Sequence, residues 1–152
     1  MKTILPFLFA FILVGCTSLQ KKPDTAELIS IDLEFSNMSV DKGLFTAFLH
    51  YAGDSVIKLR EGKFPIIGKN EMALIYQSSS DSGLVLKWKP LRAEISMSND
   101  LGYTFGEWEL YLKEKDTTLY GNYVSIWKKQ ADGSWKYILD TGVNTPKPAA
   151  TQ

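Results

Sequence analysis

The hydrophobic pattern of this chain changes its period once, near residue 84, and this change restricts the possible folds more than any other feature. Before it, apolar residues recur in steps of three and four, as in Leu28, Ile31, Phe35 and Met38, which is the spacing of one helical face. After it, segments either alternate between apolar and polar residues or are rich in residues that favour strands. Helices followed by a long antiparallel meander predict one α+β domain.

The helical part is expected to contain three helices and one short strand. The first helix carries the stripe that begins at Leu28. The second starts after Asp41, a favourable N-cap residue, and ends at Gly53. A strand over 55–59 and a loop precede the third helix, which Asn70 caps. Beyond the change of period, strands are predicted over 84–89, 92–98, 103–113, 118–129 and 135–143.

A two-residue turn at Lys115 and Asp116 would pair Trp108 with Tyr123 and so define the two faces of the sheet. One face then carries Gly106, Trp108, Leu110, Leu112, Leu119, Gly121, Tyr123, Ser125 and Trp127. The opposite face carries Glu107, Glu109, Asn122 and Lys128 together with Tyr111, Tyr120 and Ile126. The first face is less polar and is therefore predicted to be the interior. Its two glycines would leave space beneath the aromatic rings, and that space is the candidate pocket.

The N-terminus is typical of an exported lipoprotein. Lys2 and an apolar run over 4–14 precede Gly15 and Cys16, and this run is shorter than the roughly 20 residues that a membrane-spanning helix needs. The tetrad over 13–16 resembles the bacterial lipobox, whose cysteine is acylated on its sulfur, for example with palmitate, and becomes the new N-terminus after cleavage. We therefore expect a signal peptide over 1–15, lipidated Cys16 with a tether over 16–24, a domain over 25–143 and a disordered tail over 144–152.

The expected location is the cell envelope, with the membrane as a partner through the lipid on Cys16. Thr17, rather than Asp, follows the cysteine. This resembles the sorting signal of proteobacterial lipoproteins that go to the outer membrane, where the domain would face the periplasm.

Composition argues against several classes of function. The chain has 17 Lys and Arg residues and 17 Asp and Glu residues, so it lacks the basic field of a nucleic-acid-binding protein. Cys16 is its one cysteine and His50 its one histidine, which argues against a zinc site or another metal site. No phosphate-binding glycine loop and no Gly-x-Ser-x-Gly elbow occurs. We expect no metal, no cofactor and no nucleic acid.

Six further segments form a recognisable pattern through their order and spacing, and they lie at 32–35, 43–48, 65–69, 88–90, 101–108 and 121–135. Together they resemble the SnoaL-like branch of the nuclear transport factor 2-like superfamily, including its uncharacterised domain-of-unknown-function group. The resemblance implies a cone-like fold, with three N-terminal helices packed on a curved antiparallel sheet of about five to six strands. It also implies a pocket between the helices and the concave face of the sheet. The superfamily includes isomerases, cyclases, dehydratases and binding modules, so the resemblance identifies no reaction.

Five aromatic residues are candidates for the pocket. Each either packs in the core or forms a stacking wall for an apolar ligand. The assumed register places Tyr103 on the opposite face from the others. The five are Trp88, Tyr103, Trp108, Tyr123 and Trp127.

Three titratable residues are candidates for acid–base catalysis. Asp140, on the last strand, could act as a general base, as acids on late strands do in some SnoaL-like cyclases, or could cap a helix or bind a turn. Asp32 is more simply a residue that fixes the first helix to a backbone amide or a basic side chain. His50 could relay protons or cap carbonyl groups at a helix end. A three-residue bulged turn at 132–133 would move Asp140 to the other face relative to Trp127.

Three functions remain open from the sequence. The first is a membrane-tethered module that binds a small apolar molecule. The second is a cofactor-free lyase, isomerase or cyclase that uses a pocket aspartate. The steroid-isomerase branch also uses a tyrosine on the first helix, and this chain has none there. The third is a homodimer, or a partner-binding protein, that associates through the sheet face carrying Tyr111, Tyr120 and Ile126.

Overall fold

The computed structural model describes residues 23–149, and within them helices and strands follow the predicted order. The predicted signal peptide, Cys16 and most of the predicted tether lie outside the described residues, as do 150–152. Over the described residues, no helix is both long enough and apolar enough to cross a membrane. The elements are α1 (Thr25–Lys42), α2 (Leu44–Tyr51), β1 (Ala52–Arg60), β2 (Lys63–Ile67), α3 (Lys69–Gln77), β3 (Leu84–Ile95), β4 (Leu101–Leu112), β5 (Thr117–Lys129) and β6 (Trp135–Thr145).

The strands form one six-stranded sheet in the order β2-β1-β6-β5-β4-β3, with the helices packed on one face. The predicted α+β fold class is confirmed. The sheet is mixed rather than purely antiparallel, because β1 and β6 run parallel. Sequence patterns predicted only the pairing of strands that are consecutive in the chain, and β1 and β6 are far apart in it.

The helix boundaries depend on glycines and on a distant carboxylate. Asp24 caps α1, since its side chain accepts a hydrogen bond of 2.9 Å from the backbone N–H of Ala26. Asp41 lies inside α1, so the prediction that it caps the second helix was wrong. The chain turns instead at Gly43, which has φ 93°, and the N–H of Phe45 donates to the Asp81 carboxylate at 2.9 Å. Positive φ favours glycine because it has no Cβ.

Two predictions about the strands also need correction. The segment around Pro65, predicted as a loop, is strand β2, which pairs with β1 at the edge of the sheet. The strands predicted over 84–89 and 92–98 are one strand, β3, which continues through Pro90. A bulge between Pro90 and Arg92 interrupts its ladder with β4 and accommodates the proline. The last strand, β6, continues to Thr145, into the segment predicted as a tail.

The register of β4 and β5 differs from the prediction, yet the predicted faces are correct. A short 3-10 helix over Lys113–Lys115 lengthens the turn, so Trp108 pairs with Gly121 and Gly106 pairs with Tyr123. This is a shift of two residues, and side chains alternate with a period of two. The predicted inner face therefore stays inside: Tyr123, Ser125 and Trp127 are all buried.

The inner-face glycines do not leave the empty space that the sequence suggested. A Cβ at Gly121 would lie 2.2 Å from Cζ2 of Trp108, and one at Gly106 would lie 2.7 Å from Cε1 of Tyr123. The rings of Trp108 and Tyr123 thus fill the space next to these two glycines. The pocket must therefore arise from the separation between the helices and the sheet.

The core of the domain is a cluster of aromatic rings centred on Phe35 of α1. Its side chain is 1% exposed. The ring is edge-on to Trp88 at 4.5 Å and to Phe48 at 4.9 Å, and it stacks on Tyr137 at 5.5 Å. Rings in edge-to-face and offset contacts are worth more than their buried area alone. This cluster holds α1 and α2 against the sheet.

Candidate functional site

A cavity of about 360 Å³ lies between the helices and the inner face of the sheet. Its lining is apolar over most of its surface and comes from both layers. One polar corner, formed by three residues, interrupts the apolar wall. The apolar side chains are Phe35, Phe48, Leu86, Trp88, Trp108, Leu110 and Tyr123, the polar corner consists of Lys58, Ser125 and Asp140, and Glu61, Thr141 and Gly142 complete the lining.

The aromatic walls of the cavity are held by contacts on their far sides. The indole N–H of Trp108 donates to the backbone carbonyl of Asn122 at 3.1 Å, and its ring lies against Gly121. The backbone N–H of Trp88 donates to the Ser36 hydroxyl at 2.8 Å, which ties β3 to α1. These contacts hold the Trp108 ring and the backbone of Trp88 in place.

The polar corner is a partly buried ion pair between β1 and β6. The ammonium of Lys58 lies 2.5 Å from Oδ1 of Asp140, and the Ser125 hydroxyl donates to Oδ2 at 3.1 Å. The same ammonium lies 3.7 Å from the centre of the Phe48 ring. A cation over a ring face is attracted by the ring electrons. Lys58 is thus held by a carboxylate and by an aromatic ring.

Asp140 faces the cavity because β6 contains a bulge. Trp127 pairs with Tyr137, but Ile126 pairs with Leu139, so Ile138 is an extra residue in β6. The bulge lets both Tyr137 and Asp140 point inward, although their positions differ by an odd number. The sequence had left the orientation of Asp140 dependent on whether the turn at 132–133 was bulged. The register shift that orients Asp140 instead occurs within β6.

Asp32 lies behind the cavity wall and accepts hydrogen bonds from two of the predicted pocket residues. Its side chain is 0% exposed. Nε1 of Trp88 donates to Oδ1 at 2.8 Å, and the Tyr123 hydroxyl donates to Oδ2 at 2.6 Å. The Thr104 hydroxyl also bonds to it, and Thr104 in turn accepts from Nε1 of Trp127 at 2.9 Å. The prediction that Asp32 binds a backbone amide or a basic side chain was therefore wrong, because its partners are these uncharged side chains.

The environment of Asp32 raises the pKa of its carboxyl group. Burial raises the pKa of this carboxyl, while hydrogen bonds from Tyr123, Trp88 and Thr104 act in the opposite direction and the charge of Asp140 adds to the rise. The pKa of the Tyr123 hydroxyl is also raised, first by burial and then by the neighbouring Asp32 carboxylate. Tyr123 therefore stays a protonated hydrogen-bond donor.

The stability of the domain should fall as pH rises because of Asp32. The folded-state pKa lies above the ordinary value of 3.8, so the contribution of Asp32 is fully present below that pH and is lost as pH rises through the raised pKa. Asp32→Asn cannot ionise. Urea denaturation at several pH values would measure the unfolding free energies of the native chain and of Asp32→Asn. We expect the native value minus the Asp32→Asn value to decrease as pH rises from the ordinary pKa to the raised pKa. A constant difference at all pH values would contradict the assignment.

The remaining predicted site residues do not line this cavity. Trp127 is 0% exposed and lies deeper in the core. Tyr103 lies on the opposite face of the sheet, beside Phe105 and Ile126. His50 is exposed at the end of α2, edge-on to Tyr51, and its backbone carbonyl accepts a hydrogen bond from Lys136. The structure thus brings together Trp88, Trp108, Tyr123 and Asp140 at the cavity, with Asp32 directly behind them.

Sequence reasoning missed Lys58, Phe35 and Phe48 as cavity residues. Lys58 lies in the strand predicted over 55–59, two positions after buried Val56, so alternation could have placed it on the inner face. The phenylalanines were predicted as helix core, and they do contribute to the core. Among residues 23–149 no group of three His, Cys, Asp or Glu side chains is placed to hold a metal ion.

The fold and the cavity define a small pocket-bearing domain, and comparison with solved structures shows which fold it has. The chain is similar to a ketosteroid isomerase-like protein from Erwinia carotovora atroseptica, with 16% identity, a TM-score of 0.64, and coverage of 82% of this chain and 98% of the other. It is similar to an NTF-2-like protein of unknown function from Shewanella oneidensis MR-1, with 18% identity, a TM-score of 0.61, and coverage of 78% and 98%.

A third similar structure is an NTF2-like protein with a cystatin-like fold from Novosphingobium aromaticivorans, with 12% identity, a TM-score of 0.65, and coverage of 84% of this chain and 85% of the other. No protein-family model matches the sequence, and no curated protein matches it. The chain therefore has the nuclear transport factor 2-like fold, as the sequence resemblance predicted. Similarity at these identities defines the fold and leaves the function to the residues of the site.

Proposed function

We propose that this domain binds a small, mainly apolar molecule in the cavity between its helices and its sheet. The observation that carries the proposal is the cavity itself, which measures about 360 Å³ and has an apolar wall with one polar corner. Ligand sites are typically concave and mostly apolar, with few polar groups that orient the ligand. A volume of this size suits a molecule of one or two fused rings.

The construction of the walls supports binding. Trp88 is buried and hydrogen-bonded through both its backbone and its indole nitrogen, and Trp108 is hydrogen-bonded through its indole nitrogen. A wall whose side chains are already ordered loses little conformational entropy when a ligand binds. A ligand that covers the exposed aromatic surface of such a wall removes that surface from water, and this makes binding more favourable.

Trp108→Ala should remove the ligand or weaken its binding about tenfold or more, because a lost contact area worth roughly 1.5–3 kcal/mol changes Kd by that factor. Native mass spectrometry of the purified protein, after exposure to an extract of bacterial envelopes, would show the added mass. Tyr111→Ala is the matched control, since Tyr111 lies on the same strand but on the outer face. An added mass that survives Trp108→Ala, or that Tyr111→Ala also removes, would count against this cavity.

Acid–base catalysis at Asp140 is the second candidate. The observation that favours it is the position of this carboxylate in the cavity wall, paired with a lysine ammonium. A catalyst would convert the bound molecule over time, and Asp140→Asn would lower that rate by roughly 10²-fold or more. A binding module would release the molecule with its mass unchanged.

We further propose that a lipid on Cys16 tethers the domain in the envelope, in the outer membrane and facing the periplasm. The lipobox-like tetrad over 13–16 supports this. Cys16→Ser should abolish incorporation of labelled palmitate and move the chain from the membrane fraction to the soluble fraction. Ser18→Ala is the control and should leave both unchanged. Retention of Cys16→Ser in the membrane would overturn the proposal.

A homodimer through the outer sheet face stays a prediction. The supporting observation is that this face exposes large apolar side chains, including Val85, Leu101, Phe105 and Tyr111. Such side chains, when contiguous, are typical of interfaces.

A further inference from the structure

We propose that Lys58 donates a hydrogen bond to the ligand and that Asp140, by neutralising Lys58, restricts the cavity to uncharged molecules with a hydrogen-bond acceptor such as a carbonyl oxygen. This inference rests on the proposed binding function and specifies its ligand class. It arises from the polar corner, which is the only charged pair in the cavity wall among the described residues.

The Lys58 ammonium retains capacity for a further hydrogen bond. An ammonium has three N–H groups. Among the described residues, the Asp140 carboxylate is its one hydrogen-bond acceptor, and the Phe48 ring takes up a second direction. The Lys58 side chain is 19% exposed and contributes to the cavity wall. A ligand oxygen in the cavity can therefore accept from the remaining N–H.

Asp140, in contrast, has a protein donor on each of its two carboxylate oxygens. Its two oxygens accept from Lys58 and from Ser125, and its side chain is 11% exposed. The carboxylate therefore balances the lysine charge, and a ligand donor would have to share an oxygen that a protein group already uses. In this pair Lys58 donates the hydrogen bond to the ligand, and Asp140 cancels the positive charge of Lys58.

The charges around the cavity disfavour an anion. The other charged residue in its lining is Glu61, which is exposed and accepts a hydrogen bond from Asn144. Arg60 does not line the cavity, and its guanidinium donates to the backbone carbonyl of Phe64. A carboxylate ligand would lose its hydration without meeting an uncompensated positive charge, and this desolvation is costly. A neutral carbonyl gains the hydrogen bond without that cost.

Three naphthalene probes with the same ring system test this inference by isothermal titration calorimetry at neutral pH. They are 2-acetylnaphthalene, which carries a neutral acceptor, 2-naphthoate, which is anionic, and 2-ethylnaphthalene, which has no acceptor. We expect the native protein to bind the ketone at least about tenfold more tightly than the carboxylate, since tenfold corresponds to about 1.4 kcal/mol. Asp140→Asn leaves Lys58 uncompensated and should shift the ratio toward the carboxylate by about tenfold or more.

The double variant Lys58→Met/Asp140→Asn removes both charges together. It should lower the affinity for the ketone relative to 2-ethylnaphthalene by about tenfold or more, as expected for a lost hydrogen bond from a charged donor. The matched control is Lys87→Met/Glu109→Gln, an exposed ion pair with an N–O distance of 3.0 Å on the outer side of the sheet. It should leave all ratios unchanged.

Two results would overturn the inference while leaving the binding function intact. One is a native protein that binds 2-naphthoate as tightly as 2-acetylnaphthalene, a comparison that requires no variant. The other is a folded Asp140→Asn protein, verified by circular dichroism, that binds 2-ethylnaphthalene normally and keeps the native ratio of ketone to carboxylate. If none of the three probes binds to the native protein, the proposed function fails, and the inference fails with it.

Discussion

Asp32→Leu is expected to destabilise the domain by about 3–5 kcal/mol, because it leaves several buried donors without an acceptor and each costs roughly 1–3 kcal/mol. The donors are the Trp88 indole N–H, the Tyr123 hydroxyl and the Thr104 hydroxyl. Since domains of this size are stable by only about 5–15 kcal/mol, much of the stability would be lost. Urea or thermal denaturation followed by circular dichroism would measure the change.

The control for Asp32→Leu is Asp41→Leu. Asp41 lies on the same helix but is exposed, so the same substitution should change the unfolding free energy by no more than about 0.5 kcal/mol. If both variants unfold at the same urea concentration as the native protein, the hydrogen bonds to Asp32 contribute nothing measurable. The position of Asp32 behind the cavity wall would then have to be explained by function alone.

Phe35→Ala is expected to destabilise the domain by about 3–5 kcal/mol, the usual cost of truncating a buried phenylalanine. The ring contacts Phe48, Tyr51, Trp88, Trp127 and Tyr137, so the neighbouring side chains cannot easily close the resulting space. Because Phe35 also lines the cavity, a folded variant should have a larger one. Denaturation would measure the loss of stability.

Phe64→Ala provides the comparison for Phe35→Ala. The Phe64 side chain is 91% exposed on the edge strand β2, so removing it should leave the unfolding free energy within about 0.5 kcal/mol of the native value. Equal effects of the two substitutions would mean that the aromatic cluster is not the main source of stability.

The inner face of the sheet could be predicted from sequence even though the turn was predicted wrongly. Trp108 was expected to pair with Tyr123 and in fact pairs with Gly121, a shift of two residues. Alternation depends only on whether a position is odd or even, so an even shift preserves the faces. The prediction was therefore robust to this error, but it would not have survived a shift of one.

The orientation of Asp140 could not be predicted in this way. It depends on the bulge at Ile138. Before the bulge the odd-numbered side chains of β6 face inward, and after it the even-numbered ones do. Nothing in the local pattern of β6 marks where the bulge falls, because the pairing with β5 on one side and β1 on the other determines it. The contact with Lys58 likewise required the parallel pairing of β1 and β6.

By itself the sequence determined the fold class, the order of the helices and of most strands, and the interior face of the sheet, because hydrophobic periodicity is a local property that burial imposes along each element. Only the tertiary structure decided that Asp32 accepts from Trp88 and Tyr123, and that Lys58 meets Asp140 beside the ring of Phe48. These contacts join residues from distant parts of the chain. Their geometry depends on turn lengths, bulges and packing between layers, which no single segment encodes.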